Sequence, residues 1–266
     1  MSITVMKFGG TSVANWSRVE VVTNIIKKRL SSNKQRILVV VSAMGGETNK
    51  LIGGFKEIDN DINNPEYDVI LSTGEQFSSA FLSTALNKSG IISRSLMGWQ
   101  IPILTDSHYS KARILSVDTS NIKRLFKKYR VLVVAGFQGI TKDKRITTFG
   151  RGGSDTSAVA MAVALKSKCC EIFTDVDGIY SADPRIVKNA KKIKKITYEE
   201  ILEMASLGSK VLHPRSVELA MKYGITVHVR SSFKKKKGTF VVKEEHKLEE
   251  EVVTGIASSE SDAKIT

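Results

Sequence analysis

The chain has 266 residues, is 41% hydrophobic and carries a formal net charge of +14 at pH 7. That length and apolar content suffice for a large buried core, and no apolar run nears the roughly 18 residues of a membrane-spanning helix. Cys169 and Cys170 are adjacent, which argues against a disulfide framework; without a basic-then-apolar leader, the chain reads as soluble and cytoplasmic.

An apolar strand pattern from Ile3 to Phe8 opens the chain and runs into Lys7-Phe8-Gly9-Gly10-Thr11-Ser12-Val13. Paired glycines let backbone N–H groups face an anion, and Lys7 at the strand's end brings a compact positive charge to it. Neither the Walker spacing nor Gly-x-Gly-x-x-Gly occurs after a strand. A helix over Asn15 to Ser31 and a strand over Arg36 to Val41 follow. Then come a helix over Asp68 to Lys88, strands at Ile91 to Leu96 and Arg113 to Val117, a helix over Thr119 to Lys127 and a strand at Val131 to Ala135.

Residues 145 to 158 bring Gly150, Gly152 and Gly153, the fixed cation Arg151 and the carboxylate Asp155 to the head of an apolar helix, Asp155 to Lys166. The glycines permit positive φ and close backbone approach, Ser154 or Asp155 can cap the helix, and Arg151 offers a planar fork to a carboxylate or phosphate. A tight turn ahead of a packed helix is the alternative reading. The strand Glu171 to Thr174 leads into a loop rich in acids, Thr174-Asp175-Val176-Asp177-Gly178-Ile179-Tyr180, ending at Asp183-Pro184-Arg185. In an open parallel sheet such a loop shares a crevice with the other strand ends, although Asp-Gly and Asp-Pro also mark ordinary turns. Helices over Tyr198 to Leu207 and Pro214 to Tyr223 and a strand at Ile225 to Val229 complete the pattern. Thr197 with Glu200 forms a capping box and Gly224 closes the last helix.

Short, nearly continuous apolar strands alternating with helices predict an α/β fold, a three-layer α/β/α sandwich around a mostly parallel sheet. The basic stretches at Lys123 to Arg130, Lys188 to Lys195 and Lys234 to Lys237 lack interleaved aromatics, so they read as a solvated lysine surface and not as a nucleic-acid site.

The lysine-glycine opening, the glycine-arginine turn and the acidic loop together resemble the catalytic domain of the aspartokinases, within the amino-acid kinase family. Ser42-Ala43-Met44-Gly45 with Thr48-Asn49, Leu71 to Glu75, Gly98-Trp99-Gln100, Gly136 to Gly139 and Lys210 to Pro214 match in order and spacing. The resemblance implies transfer of the ATP γ-phosphoryl group to the side-chain carboxylate of L-aspartate, the first step of lysine, threonine and methionine biosynthesis. Mg²⁺ would be held mainly by the nucleotide phosphates. It assigns Lys7 and Asp155 to catalysis, the latter holding Lys7 by an ion pair, although Asp155 also suits a helix cap. It places Lys7, Phe8, Gly9, Gly10, Ser154, Thr174, Asp175, Tyr180, Arg185 and Lys210 at ATP. Ser42, Thr48, Glu75, Arg151, Gly152, Gly153 and Ser154 would hold aspartate, with Arg151 on a carboxylate and Glu75 on the ammonium group. Without the resemblance Glu75 reads as a solvated helix acid. His213, ahead of Pro214, reads as structural.

The resemblance makes residues 1–233 the catalytic domain, compatible with a homodimer. Residues 234–251 read as a charged connector, and 252–266 resemble the first strand of the ACT regulatory domain that follows in that family.

Overall fold

The computed structural model describes residues 2–30, 35–184, 186–206 and 211–244. The first half comprises β1 (Ser2–Phe8), a 3-10 turn (Gly10–Val13), α1 (Trp16–Arg29), β2 (Gln35–Val41), α2 (Glu47–Lys56) and α3 (Pro65–Lys88). There follow β3 (Ser93–Leu96), β4 (Ile103–Thr105), β5 (Ile114–Val117), α4 (Ser120–Leu125), β6 (Val131–Ala135), β7 (Gln138–Ile140) and β8 (Ile146–Thr148). The chain continues through α5 (Gly153–Ala164), β9 (Cys169–Thr174), β10 (Lys195–Thr197), α6 (Tyr198–Ser206), α7 (Pro214–Tyr223), β11 (Thr226–Ser231) and β12 (Thr239–Val242).

The main sheet has the order β10-β12-β11-β9-β1-β2-β6-β3, and only the β11–β12 pair is antiparallel. Its central strands are buried on both faces, which is why they read as continuous apolar runs. Alternation divides their side chains between two cores. Met6, Phe8, Val39, Val41 and Val133 pack with Val22 and Ile26 of α1 and Leu82 and Leu86 of α3. Val5, Leu38, Val40 and Val134 pack on the other face with Val159 and Met161 of α5 and Val217 of α7. The expected three-layer α/β/α architecture is the observed one. Because Lys7 shares the parity of Val5, its side chain leaves β1 toward α5.

A second sheet, in the order β5-β4-β7-β8, lies apart from the first. The Arg113 to Val117 pattern was expected in the central sheet and instead supplies β5 of this smaller one. Asp68 of α3 ties the two parts together: its buried carboxylate accepts the Ser110 N–H at 2.9 Å, the Thr148 N–H at 2.7 Å and the Thr148 hydroxyl at 2.7 Å. Burial still pushes this acid above its ordinary pKa, against the pull of those bonds.

Local signals at the ends of α6 and α7 hold as read. The Thr197 N–H donates to Glu200 at 2.7 Å and the Glu200 N–H returns to Thr197 Oγ1 at 3.2 Å. Gly224 caps α7 in the left-handed region at φ 65°. Residues 239–242, inside the stretch expected as a connector, form β12, and Val241 and Thr239 are buried. Residues 245–266, including the stretch resembling an ACT strand, lie outside the described residues. Among those described, no helix is long and apolar enough to cross a membrane.

Candidate active site

Three strand ends meet at the carboxyl edge of the main sheet, where Phe8 stands beside Val41 on one side and Phe173 on the other. Their turns are stitched together by backbone. The Gly9 N–H donates to Phe173 O and the Ser42 N–H to Phe8 O, each at 3.1 Å, while the Phe8 and Phe173 rings stack at 4.7 Å. With its amide so committed, Gly9 offers close approach and not the anion-facing donor expected of it; a Cβ there would sit 3.5 Å from Lys7 Nζ.

Lys7 is 8% exposed, and its Nζ lies 2.7 Å from Oδ1 of Asp155 in the first turn of α5. A buried lysine needs such a partner, because an unpaired ammonium at this depth would be strongly disfavoured. The helix does not open at Ser154 or Asp155, as the residue types predict. Its cap is Gly152, at φ 68°, with Gly150 at φ 74° and the Gly153 N–H closing the turn onto Gly150 O at 3.0 Å. The helix starts two residues earlier because glycine takes the left-handed cap without strain, which leaves the Asp155 carboxylate free for Lys7.

A cavity of about 280 Å³ lies between this turn and the strand ends. It gathers Lys7, Ser42, Thr48, Glu75, Arg151, Gly152, Gly153, Ser154 and Asp155, with Gly150 and Phe137 completing the wall. Glu75 comes from α3, whose Gly74 passes so near the loop after β2 that a Cβ would lie 2.8 Å from Ala43 Cβ. At 3% exposure Glu75 is no solvated helix acid. Its Oε1 accepts the Ala43 N–H at 2.9 Å, and its Oε2 is buried with no hydrogen-bond partner among the described residues. Burial pushes its pKa up to about 7, with the backbone donors and then the Lys7 charge pulling the other way. Arg151 is exposed at the rim and forms no ion pair among the described residues.

Phe137 was not singled out as a site residue from the sequence. It is nearly buried and holds φ at 69°, a conformation bulky residues rarely adopt. Its N–H donates to Ser157 Oγ at 2.9 Å and its carbonyl accepts the Phe149 N–H at 3.0 Å. The segment Gly136 to Gly139 was matched to the family, but no residue type signals a left-handed phenylalanine.

Of the residues expected at the nucleotide, Lys7 and Ser154 line the cavity, and the others among the described residues do not. Phe8 ends β1, Gly9 and Gly10 follow it, and Thr174 ends β9. The Thr174 hydroxyl donates to Asp175 at 3.0 Å. Tyr180 donates to Asp177 Oδ1 at 2.8 Å, a bond that raises the phenol's pKa, and Lys192 reaches Asp177 Oδ2 at 3.5 Å. Arg185 and Lys210 lie outside the described residues. Among those described, no three acids, histidines or cysteines gather as a metal-ligand set.

The profile of the Amino acid kinase family matches residues 2–231. An aspartate kinase of Pseudomonas putida is 50% identical over 267 aligned residues, covering 100% of this chain and 65% of that protein; the chain thus spans less than two thirds of that relative. The crystal structure of the aspartate kinase from Synechocystis superposes with a TM-score of 0.80 at 46% identity, over 92% of this chain and 40% of that one. E. coli aspartokinase III, solved in complex with aspartate and ADP, gives 0.76 at 29% identity, over 92% and 65%.

Proposed function

The chain belongs to the amino acid kinase family, and from that premise we propose that it transfers the γ-phosphoryl group of ATP to the side-chain carboxylate of L-aspartate, yielding 4-phospho-L-aspartate and ADP. One observation carries the reading: a single cavity joins a rim arginine and a buried carboxylate oxygen, neither paired among the described residues, with a buried lysine. These complement, in turn, a carboxylate, an ammonium group and a phosphoryl group. The likeness to an aspartokinase solved with aspartate and ADP supports the same pair of ligands.

The acceptor carboxylate, with a pKa of about 3.9, is ionised at neutral pH and needs no general base. The difficulty is repulsion. Two unit charges 4 Å apart cost roughly 4 kcal/mol at an effective dielectric of 20, so the site must neutralise and align. Lys7 sets its charge against the transferring group, and Asp155 keeps that ammonium pointed into the cavity. Glu75 holds the acceptor's ammonium, Arg151 its α-carboxylate, and Ser42, Thr48 and Ser154 add neutral hydrogen bonds. ATP would lie over Phe8, Gly9 and Gly10 toward Thr174, Asp175 and Tyr180, with Arg185 and Lys210 as further contacts. Mg²⁺ bound to the phosphates would offset their charge. With Asp155 taken by Lys7, the ion would depend on phosphate and water oxygens. Residues 1–233, with β12 completing their sheet, would supply this catalytic unit, with pairing as a homodimer part of the same proposal.

Arg151→Ala should raise KM for aspartate about tenfold and leave KM for ATP within about twofold, the loss of one charge-assisted contact. Equal rises in both constants would remove Arg151 from the acceptor. The activity itself is tested by ADP release from Mg-ATP with hydroxylamine present to trap an acyl phosphate. L-aspartate, L-glutamate, N-acetylglutamate, carbamate and UMP are offered separately. Hydroxamate with aspartate alone is the expected result, and activity with a different acceptor would move the chain to a sister kinase.

A further inference from the structure

We infer that His213 and Arg215, at the start of α7 and outside the cavity, are positioning residues that pin the glycine turn on either side of Arg151 and thereby set affinity for the acceptor. The inference rests on the reading of Arg151 as the acceptor's carboxylate partner. Arg215 donates through Nη1 to Phe149 O at 2.8 Å and through Nη2 to Ala112 O at 2.6 Å. Since the Phe149 N–H is already bound to Phe137 O at 3.0 Å, both backbone polar groups just ahead of Gly150 are held. On the other side of Arg151, the His213 ring lies directly against Gly152, where an added Cβ would overlap His213 Cβ and Cγ. Pro214 occupies the first turn of α7, and Val217 and Ala220 bury the helix in the core. Both side chains therefore leave a rigid base.

Such pinning matters because glycines have the widest conformational freedom of any residue, and Gly150, Gly152 and Gly153 surround the arginine. A turn that visits its binding-competent form only part of the time binds more weakly in proportion to that fraction. Arg215 suits the task because its planar fork reaches two carbonyls from different segments, which a lysine's point charge does not reproduce.

The test compares Arg215→Met and Arg215→Lys with the parent chain, reading KM for aspartate and for ATP together with amide exchange of residues 149–153. Arg215→Met should raise KM for aspartate about tenfold, leave KM for ATP within about twofold and speed exchange in the turn about tenfold; Arg215→Lys should recover part of each effect. A role in packing alone would lower the folded fraction and apparent turnover with both KM values unchanged, and that result overturns the inference. Should Arg215→Met fail to fold, His213→Ala carries the same measurements with a smaller expected change. If the parent chain forms no hydroxamate with aspartate, the acceptor assignment falls, and the pinning is judged by exchange alone, where no acceleration in the turn would refute it.

Discussion

Lys7→Ala should lower turnover about a thousandfold while ATP still binds with an affinity within a few fold of the parent. The lysine's charge does most when negative charge is shared among nucleophile, phosphoryl group and leaving oxygen, so its loss falls on kcat and not on ground-state binding. A second consequence complicates the experiment. Removing the ammonium strands the buried Asp155 carboxylate, and breaking a buried pair from one side costs about 3–5 kcal/mol of stability. The paired replacement Lys7→Met with Asp155→Asn separates the two effects, since it takes away both charges together. It should melt near the parent temperature and remain as inactive as Lys7→Ala. Near-normal turnover in either variant, measured as trapped hydroxamate at saturating ATP, would remove Lys7 from the mechanism.

Glu75→Gln should weaken aspartate binding by roughly ten- to a hundredfold, the worth of a charged hydrogen bond of about 1.5–3 kcal/mol, without loss of fold stability at pH 8. Burial in the cavity wall pushes this acid's pKa up to about 7 from its ordinary 4.5, so below about 7 it is mostly neutral and offers the acceptor's ammonium little charge. KM for aspartate should therefore fall as pH rises through 7, and the dependence should vanish in the Glu75→Gln variant. Stability runs the other way. The folded protein holds this proton more tightly than the unfolded chain, so the group's contribution is full below pH 4.5 and is lost as pH rises through 7. The amide replacement carries no such penalty, and a thermal melt at pH 8 in which it is clearly less stable than the parent would show that Glu75 supports the fold and is not a strained binding group.

Much of the architecture was legible because it rests on local chemistry. Apolar runs at β1, β2 and β6 marked strands buried on both faces, and the capping pair Thr197 and Glu200 marked the start of α6. The pairing of Lys7 with Asp155 was implied by the family resemblance and is present at 2.7 Å. Other features depended on distant parts of the chain. Gly53 and Gly54 disguise α2, whose helix tolerates them on an open face where an added Cβ meets nothing. The strand β12 follows four lysines, and only its pairing with β11 and β10 makes it part of the sheet. Strands of three residues in the smaller sheet are too short to show a period. Within the site, the left-handed Phe137 and the committed amide of Gly9 are set by neighbours far along the sequence, which residue types cannot report.

The helix α3 carries both Asp68 and Glu75, and the two lie seven residues apart, about two helical turns, so they share a face. One acid is bolted to the Ser110 loop and Thr148; the other looks into the cavity. The helix therefore acts as a keyed shaft. Its rotation is indexed near its start by three hydrogen bonds to the Ser110 loop and to Thr148 of the smaller sheet, and that setting determines where the carboxylate two turns further on points. Insertions or deletions in the 106–112 loop would be read out as a change in acceptor preference, although no residue of that loop lines the cavity.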